Sequence, residues 1–258
     1  MLARERQTEI LMRLLDAGSA RVTELAQSFG VAEETIRRDL DKLAREGKLL
    51  RTHGGAVPAE DTALDLPFSV RRTANLEAKR AIARQALTHV QEGDVIAFDA
   101  STTVHQLALA IPEMPLTVVT NSLPASAALL RRRSVRVLST GGMLDAPSWS
   151  WTGSVAEQAL ERINIQKLFL STKGVDLVRG LSEADDGQAR LKRRMMDVAE
   201  KIYLLVDHSK FGGKSVVSLA EMNEVDVVIA DAATDPSVVE GLRKLGVDVE
   251  IAGQAASD

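Results

Sequence analysis

The sequence predicts an α/β protein in which a small N-terminal helical unit precedes a larger domain with a mostly parallel sheet. Apolar residues recur at helical spacing in three short segments before residue 47, and a Gly-Gly turn follows them. Beyond residue 90, short runs rich in β-branched residues alternate with helix-length segments, as in a parallel sheet covered by helices on both faces. The chain has 258 residues, 45% hydrophobic and 26% charged, which is enough for two soluble domains of unequal size.

The first two helices are predicted from apolar stripes and glycine stops. The stripe of the first helix consists of Ile10, Leu11, Leu14 and Leu15. This helix should end near Gly18, because glycine is common just past the end of a helix. The second helix, ELAQSF, should follow Thr23 and end at Gly30.

The third predicted helix runs from about residue 33 to residue 46 and stops at Gly47. Its apolar residues Ile36, Leu40 and Leu43 are spaced i, i+4, i+7, so one stripe should face the first two helices. The opposite side and its flanks carry polar and basic residues, namely Thr35, Arg37, Arg38, Lys42 and Arg45. The next segment, KLLRTHGGAV, predicts a strand, a Gly-Gly turn and a return strand. Residues 1–57 are therefore predicted to form a winged helix-turn-helix.

Positive charge is concentrated in this third helix and the segment after it. The formal net charge of the chain is -4, yet residues 35–55 carry six Lys and Arg against three Asp and Glu. A basic helix fits the major groove, where guanidinium groups reach guanine edges and phosphates. We expect this surface to bind double-stranded DNA. The alternative is a solvated basic face on a helical module that binds protein.

Residues 58–74 are predicted to connect the two parts, because 58–67 contain proline, alanine and acids without periodicity. The second domain is predicted over residues 75–252. Its six predicted strands are residues 94–98, 116–120, 135–139, 167–171, 202–206 and 225–230. Small polar segments follow the first five strands, in order DASTT, TNS, TGG, STKG and DHSK.

These polar segments predict a ligand site, because parallel sheets bind ligands beyond the carboxyl ends of their strands. Backbone N–H groups and hydroxyls of residues 101–103, at a helix N-terminus, favour phosphate. Asn121 can donate to and accept from sugar hydroxyls, Gly141 and Gly142 permit close backbone approach, and Lys210 adds positive charge. Each segment alone also fits a helix N-cap, a turn or a surface ion pair. Five such segments at the strand ends of one sheet favour the ligand site.

Residues 22–57, with TIRRDL followed by RTHGGA, resemble the DNA-binding head of the DeoR family of bacterial regulators. The resemblance implies that Thr35, Arg37 and Arg38 are the principal DNA contacts. The full predicted set is Thr35, Arg37, Arg38, Lys42, Arg51 and His53. The family usually places serine where this chain has Ala32, at the N-cap of the third helix. The loss of that cap should cost about 1 kcal/mol of local stability.

Residues 68–231 resemble the sensor domain of the same family through FSVRRTANLEAK, FDASTT, TNS, GG, GVD, GLSE and DHSKFG, in the family's order. That domain shares its fold with ribose-phosphate isomerases, glucosamine-phosphate deaminases and CoA transferases. The resemblance implies a site for a sugar phosphate or related metabolite, formed by Asp99, Ser101, Thr102, Thr103, Asn121, Gly141, Gly142, Glu183, Lys192 and Lys210. Ser101 stands where the family commonly has glycine, so this loop should be conformationally less permissive.

These observations together predict a transcriptional regulator that is not an enzyme. The resemblance implies a homo-oligomer, dimer or tetramer, that binds operator DNA as a repressor of carbohydrate-metabolism genes and is modulated by a phosphorylated sugar. The alternative is a sugar-phosphate isomerase or deaminase with an accessory head, in which Asp99, Glu183 and Lys210 supply acid–base and electrostatic roles. A third possibility, an oligomeric scaffold without a ligand, leaves the polar strand ends unexplained.

The composition excludes several other classes of protein. The chain has no cysteine, which removes disulfides, thiolate metal sites and cysteine nucleophiles. Its four histidines are scattered, so we expect no metal and no cofactor. The N-terminus lacks an apolar signal region, and no run approaches the roughly 18 apolar residues that span a bilayer. We therefore expect a cytoplasmic protein without a membrane partner.

Overall fold

The computed structural model describes residues 2–17, 19–46, 48–57 and 67–253. Two predicted helix stops, Gly18 and Gly47, lie outside these residues, as do residues 58–66 of the predicted linker and residues 254–258. The chain divides into two compact units, Met1–Asn75 and Leu76–Asp258. Each unit has its own hydrophobic core.

The first unit is a three-helix head with a small sheet. Its elements are α1 (Ala3–Ala17), β1 (Ala20–Arg21), α2 (Val22–Phe29), α3 (Glu33–Arg45), β2 (Leu50–Thr52), β3 (Gly55–Val57) and α4 (Phe68–Arg71). Helix α2 begins before Thr23 rather than after it, because Arg21 takes the extended N-cap conformation. Gly30 ends α2 as predicted, with the left-handed φ of 64° that glycine adopts without strain. The segment predicted as a linker contains α4, whose Val70 packs in the core of this unit.

The predicted apolar stripe of α3 forms the centre of the head. Ile36, Leu40 and Leu43 are at most 1% exposed and pack with residues of α1 and α2. An ion pair that the sequence pattern did not reveal also joins two of the helices. The Nε of Arg6 on α1 lies 2.5 Å from Oδ2 of the buried Asp39 on α3. Gln7 donates to the other carboxylate oxygen of Asp39 at 2.7 Å.

The wing is a three-stranded sheet of order β1-β3-β2 rather than the predicted two-stranded hairpin. Its turn consists of His53 and Gly54, and Gly55 is already the first residue of β3. A Cβ at position 55 would lie 2.0 Å from the carbonyl oxygen of Ala20. Glycine is therefore required there because β1 approaches it closely, and the turn moves one residue toward the N-terminus.

The second unit is an α/β domain. Its strands are β4 (Val95–Phe98), β5 (Leu116–Thr120), β6 (Val135–Ser139), β7 (Met143–Asp145), β8 (Ser150–Thr152), β9 (Ile165–Leu170), β10 (Gly174–Asp176), β11 (Gly180–Glu183), β12 (Ala199–Val206), β13 (Val217–Ala220), β14 (Val227–Ala230) and β15 (Asp248–Ile251). Its helices are α5 (Leu76–Leu87), α6 (Thr102–Ala110), α7 (Leu123–Leu129), α8 (Ser154–Ala159), α9 (Asp186–Asp197) and α10 (Pro236–Lys244).

The main sheet confirms the predicted parallel architecture. It has seven strands in the order β15-β14-β12-β9-β4-β5-β6, and every described pairing between them is parallel. All six predicted strands belong to it. Alternate strand residues enter two cores, so that Ile96 and Phe98 pack with α5, α6 and α7, whereas Ala97 packs with α8 and α9. Helices therefore cover both faces of the sheet.

Candidate functional site

The sheet order brings the predicted polar segments together. The strands β6, β5, β4, β9 and β12 are consecutive neighbours, and each of the five polar segments follows one of them. The order of strands also reverses between β4 and β9, since β5 and β6 lie on one side and β12, β14 and β15 on the other. Parallel sheets bind their ligands at such a switch point. Two of the segments, which begin with Asp99 and Ser171, meet there.

A buried charged cluster occupies the switch point. Asp99 is 1% exposed, and its carboxylate accepts the backbone N–H of Ser101 at 3.0 Å and that of Ser171 at 3.1 Å. The ammonium of Lys192 lies 3.0 Å from Oδ2 of Asp99 and 2.5 Å from Oε1 of Glu183. It also donates to the carbonyl of Ser171 at 2.6 Å. The cluster therefore joins the ends of β4, β9 and β11 to helix α9.

Electrostatics keep Lys192 ionised. Burial alone would lower the pKa of its ammonium, but the nearby carboxylates of Asp99 and Glu183 outweigh burial and raise the pKa. Of the predicted effector residues, Asp99 and Glu183 thus both contact Lys192 directly. Their polar atoms hold the loops of the site in place, in addition to any contact with a ligand.

The DASTT segment forms the N-terminus of α6. The hydroxyl of Ser101 is the N-cap and accepts the N–H of Val104 at 3.2 Å. Thr102 and Thr103 are the first two residues of the helix, where backbone N–H groups have no intrahelical acceptor. Both side chains are at least nine-tenths buried. The helix N-terminus and the two threonines remain suited to phosphate, whereas the Ser101 hydroxyl is already used as a cap.

Asn121 follows β5 and faces the β7–β8 hairpin. Its side-chain Nδ2 donates to the backbone carbonyl of Trp151 at 3.1 Å, and its backbone carbonyl accepts the N–H of Trp151 at 2.8 Å. The carbonyl oxygen of Trp151 can only accept a hydrogen bond, so its contact with Nδ2 fixes which way the side-chain amide of Asn121 is turned. Oδ1 is consequently buried on the other side, where no donor from the described residues lies within hydrogen-bond distance. It is an acceptor suited to a ligand hydroxyl.

The two glycines after β6 have left-handed backbones, with φ of 61° at Gly141 and 114° at Gly142. A Cβ at Gly142 would lie 2.6 Å from the carbonyl oxygen of Thr152. Glycine at 142 is therefore needed for the close approach of the chain to β8. At Gly141 a Cβ would meet no atom within 4 Å, so only the backbone conformation favours glycine there.

Lys210 lies in a 3₁₀ turn, His208–Lys210, after β12. Burial alone would raise the pKa of the neighbouring Asp207, but the charges of Lys210 and Lys79 and a hydrogen bond from Ser209 lower it. Lys79, on α5, is only 4% exposed. Its burial is not predictable from local sequence, because a lysine in a helix is normally solvated. The pattern also missed Asp231, after β14, which accepts the N–H of His208 at 2.6 Å.

In the head, α3 presents the predicted basic face. Arg37, Arg38, Lys42 and Arg45 are exposed, and Thr35 is half-buried. The guanidinium of Arg37 lies 2.6 Å from a carboxylate oxygen of Glu33, and that of Arg38 lies 3.3 Å from Glu34. These pairs occupy the first turns of the helix.

The wing contributes the other two predicted DNA contacts. Arg51 lies between α3 and the wing, because its guanidinium pairs with Asp41 at 2.9 Å and donates to the carbonyl of Gly55 at 2.7 Å. His53 is exposed in the turn. Ala32 is the N-cap of α3 and provides no side-chain hydrogen bond, as expected from the absence of serine there.

Among the described residues, no group of three or more His, Cys, Asp or Glu side chains is arranged to hold a metal ion. No helix found there is both long and apolar enough to cross a membrane.

Two family models match this chain. Residues 6–62 match the DeoR-like helix-turn-helix domain, and residues 74–232 match the DeoR C terminal sensor domain. The two matches coincide with the head and with most of the α/β unit.

Proteins that are similar over most of this chain are transcriptional regulators. An uncharacterized HTH-type transcriptional regulator, YulB, from Bacillus subtilis is 41% identical and covers 96% of each chain. An L-fucose operon activator from Haemophilus influenzae is 40% identical over 86% of this chain and 89% of its own. A putative aga operon transcriptional repressor from Escherichia coli O157:H7 is 36% identical over 97% of this chain and 94% of its own. Among solved structures, a ribose 5-phosphate isomerase from Methanocaldococcus jannaschii matches with a TM-score of 0.40 and 16% identity, covering 53% of this chain and 55% of its own.

Proposed function

The chain belongs to the DeoR family of transcriptional regulators, and from this premise we propose that it represses carbohydrate-metabolism genes under the control of a phosphorylated sugar. The observation that carries the proposal is the adjacency of five polar strand ends around the switch point between β4 and β9. Relatives named after an L-fucose operon and an aga operon support a sugar-related ligand.

The proposed DNA contacts lie on one face of α3 and on the wing. Arg37 and Arg38 are exposed near the N-terminus of α3, the end that helix-turn-helix proteins direct at base edges. Thr35 and Lys42 extend the same surface. Arg51 and His53 on the wing contact the sugar-phosphate backbone of the DNA. A single head makes few phosphate contacts, so we propose a homo-oligomer, dimer or tetramer, that places two or more heads on repeated half-sites.

The proposed effector site uses different strand ends for different parts of the ligand. The phosphate binds at the N-terminus of α6, with Thr102 and Thr103, where first-turn N–H groups have no intrahelical acceptor and the helix dipole favours an anion. A sugar hydroxyl donates to Oδ1 of Asn121, which no described protein group satisfies. Gly141 and Gly142 border this region, and Lys210 adds positive charge from the far side of β9.

The enzymatic alternative is not supported. The family and the full-length relatives are transcriptional regulators, and so is this chain. Two of the three residues offered as acid–base groups, Asp99 and Glu183, also share the ammonium of Lys192.

A binding screen tests the proposal. The purified chain is heated with a panel of pentose and hexose phosphates and, as controls, with their unphosphorylated parents. A ligand at about 100 times its dissociation constant should add roughly 2.7 kcal/mol of stability, which raises the melting temperature measurably. Stabilisation by phosphorylated members only, lost in Thr102→Val, supports the phosphate subsite. Equal stabilisation by the unphosphorylated parents, or none across the panel, would reject the sugar-phosphate effector.

A further inference from the structure

We propose that Glu33 and Glu34 are specificity-determining residues, which hold the two DNA-contacting arginines in the free head and thereby suppress binding to non-operator DNA. The proposal rests on the proposed function, since it assumes that Arg37 and Arg38 face the DNA.

The contacts on α3 place each arginine against a carboxylate one turn earlier. Arg37 lies 2.6 Å from Glu33 and 3.9 Å from Glu34, and Arg38 lies 3.3 Å from Glu34. The side chain of Arg38 is 79% exposed and that of Glu34 is 62% exposed. Exposed i, i+4 pairs of this kind are weak and easily exchanged. They are therefore suited to be replaced by a competing acceptor rather than to hold the fold together.

The position of the acids gives them a role beyond the stability of the helix. The helix dipole favours an acidic residue in the first turn of any helix. This general effect explains the presence of one of the two glutamates. Here two carboxylates lie one turn before the arginines that we propose to enter the groove, and they contact those arginines. They therefore accompany those arginines to the DNA, where phosphates repel them.

Operator and non-operator DNA compensate this repulsion differently. Non-operator DNA offers chiefly phosphates. A phosphate can bind an arginine only if the ion pair between that arginine and its glutamate is broken. An operator also offers guanine edges that accept bidentate bonds from arginine, and cytosine amino groups that donate to glutamate. The carboxylates consequently penalise non-operator binding more than operator binding, and they raise the ratio of the two affinities.

The test uses the full chain with Glu33→Gln, Glu34→Gln and the double variant. Each is titrated into a random-sequence duplex and into an operator duplex selected from a random pool, over a range of salt concentrations. We expect affinity for the random duplex to rise about threefold to tenfold in the double variant, with less than a twofold gain on the operator. For the random duplex, the slope of log affinity against log salt concentration should become steeper by about one unit for each arginine that is released from its glutamate.

Glu46→Gln is the matched control. Glu46 lies just past the other end of α3, where Lys48 is 2.5 Å from its carboxylate. Its substitution changes the net charge by one unit, as Glu33→Gln and Glu34→Gln each do. If this variant raises random-duplex affinity as much as each single variant does, net charge explains the effect and the proposal is rejected. Unchanged affinities in the double variant would reject it as well.

Arg37→Ala separates this inference from the proposed function. In that background Glu33→Gln should have a smaller effect than in the natural chain, because the residue acts through Arg37. If Arg37→Ala leaves both affinities unchanged, the proposed DNA surface is wrong and the inference fails with it. If Arg37→Ala weakens both affinities while the glutamate variants bind like the natural chain, only the inference fails.

Discussion

At the scale of single residues, Lys192 illustrates how burial changes the meaning of a predicted binding residue. The sequence placed it among the effector contacts by resemblance alone. In the structure its ammonium is buried against two carboxylates and a carbonyl, so it fixes the geometry of the loops that carry the other candidates. Spacing along the chain could not reveal this, because Asp99 and Lys192 are brought together only by the assembled sheet.

Lys192→Met should therefore destabilise the chain strongly. The substitution keeps most of the side-chain volume but leaves the carboxylates of Asp99 and Glu183 buried without their cation. Removing one partner of a buried ion pair typically costs about 3–5 kcal/mol. Urea unfolding at neutral pH measures the loss.

Arg190→Met is the control for this substitution. Arg190 lies on the same helix, α9, and pairs with Asp186 and Glu157 at the surface, where such pairs contribute about 0–1 kcal/mol. A cost below 1 kcal/mol for Lys192→Met would contradict the role assigned to its ammonium.

At the scale of secondary-structure elements, a helix or strand was predicted correctly where its own residues show the expected apolar pattern. The α3 stripe and six strands of the main sheet carry apolar residues that pack against a core, and all were predicted. Strand β15 was missed because DVEI alternates acids with apolar residues at the edge of the sheet, without an apolar run. The β7–β8 hairpin was missed for another reason. Its turn includes Trp149 with a φ of 53°, a conformation that no local pattern predicts for tryptophan.

Helix α3 also yields a prediction about its cap. The N-cap Ala32 accepts no hydrogen bond from the first turn through its side chain. Ala32→Ser supplies a hydroxyl in an extended backbone position suited to capping, so the head should gain about 1 kcal/mol of stability. Thermal unfolding followed by far-ultraviolet circular dichroism measures the gain.

Ala44→Ser is the matched control for the cap. It introduces the same hydroxyl in the last turn of α3, where serine is a poorer helix former than alanine by about 0.5 kcal/mol. The two variants should therefore shift the unfolding temperature in opposite directions. No gain of stability in Ala32→Ser would show that the missing cap is already compensated.

At the scale of the whole molecule, the order of strands decides where the site lies. The sequence predicted that polar segments follow the strands, but a strand's neighbours depend on packing between distant parts of the chain. The reversal between β4 and β9 joins Asp99 to the N–H of Ser171, 72 residues later. The polar strand-end residues of the candidate site were therefore predictable, whereas their arrangement was not. Lys79 and Asp231, which local patterns do not mark, entered it only through the fold.

The two functions of the molecule are linked by a thermodynamic constraint that yields the last prediction. If a sugar phosphate lowers operator affinity by some factor, operator DNA must lower sugar-phosphate affinity by the same factor, since both describe one coupling free energy. Couplings of this kind are about 1–3 kcal/mol, or roughly 5-fold to 150-fold in affinity. The first factor is measured by the anisotropy of a labelled operator duplex with and without saturating effector. The second can be read from intrinsic fluorescence, because both tryptophans of the chain, Trp149 and Trp151, lie in the segment that contacts Asn121. Equal factors within that range are expected. If both ligands bind and neither changes the affinity for the other, the sensor domain is not coupled to DNA binding.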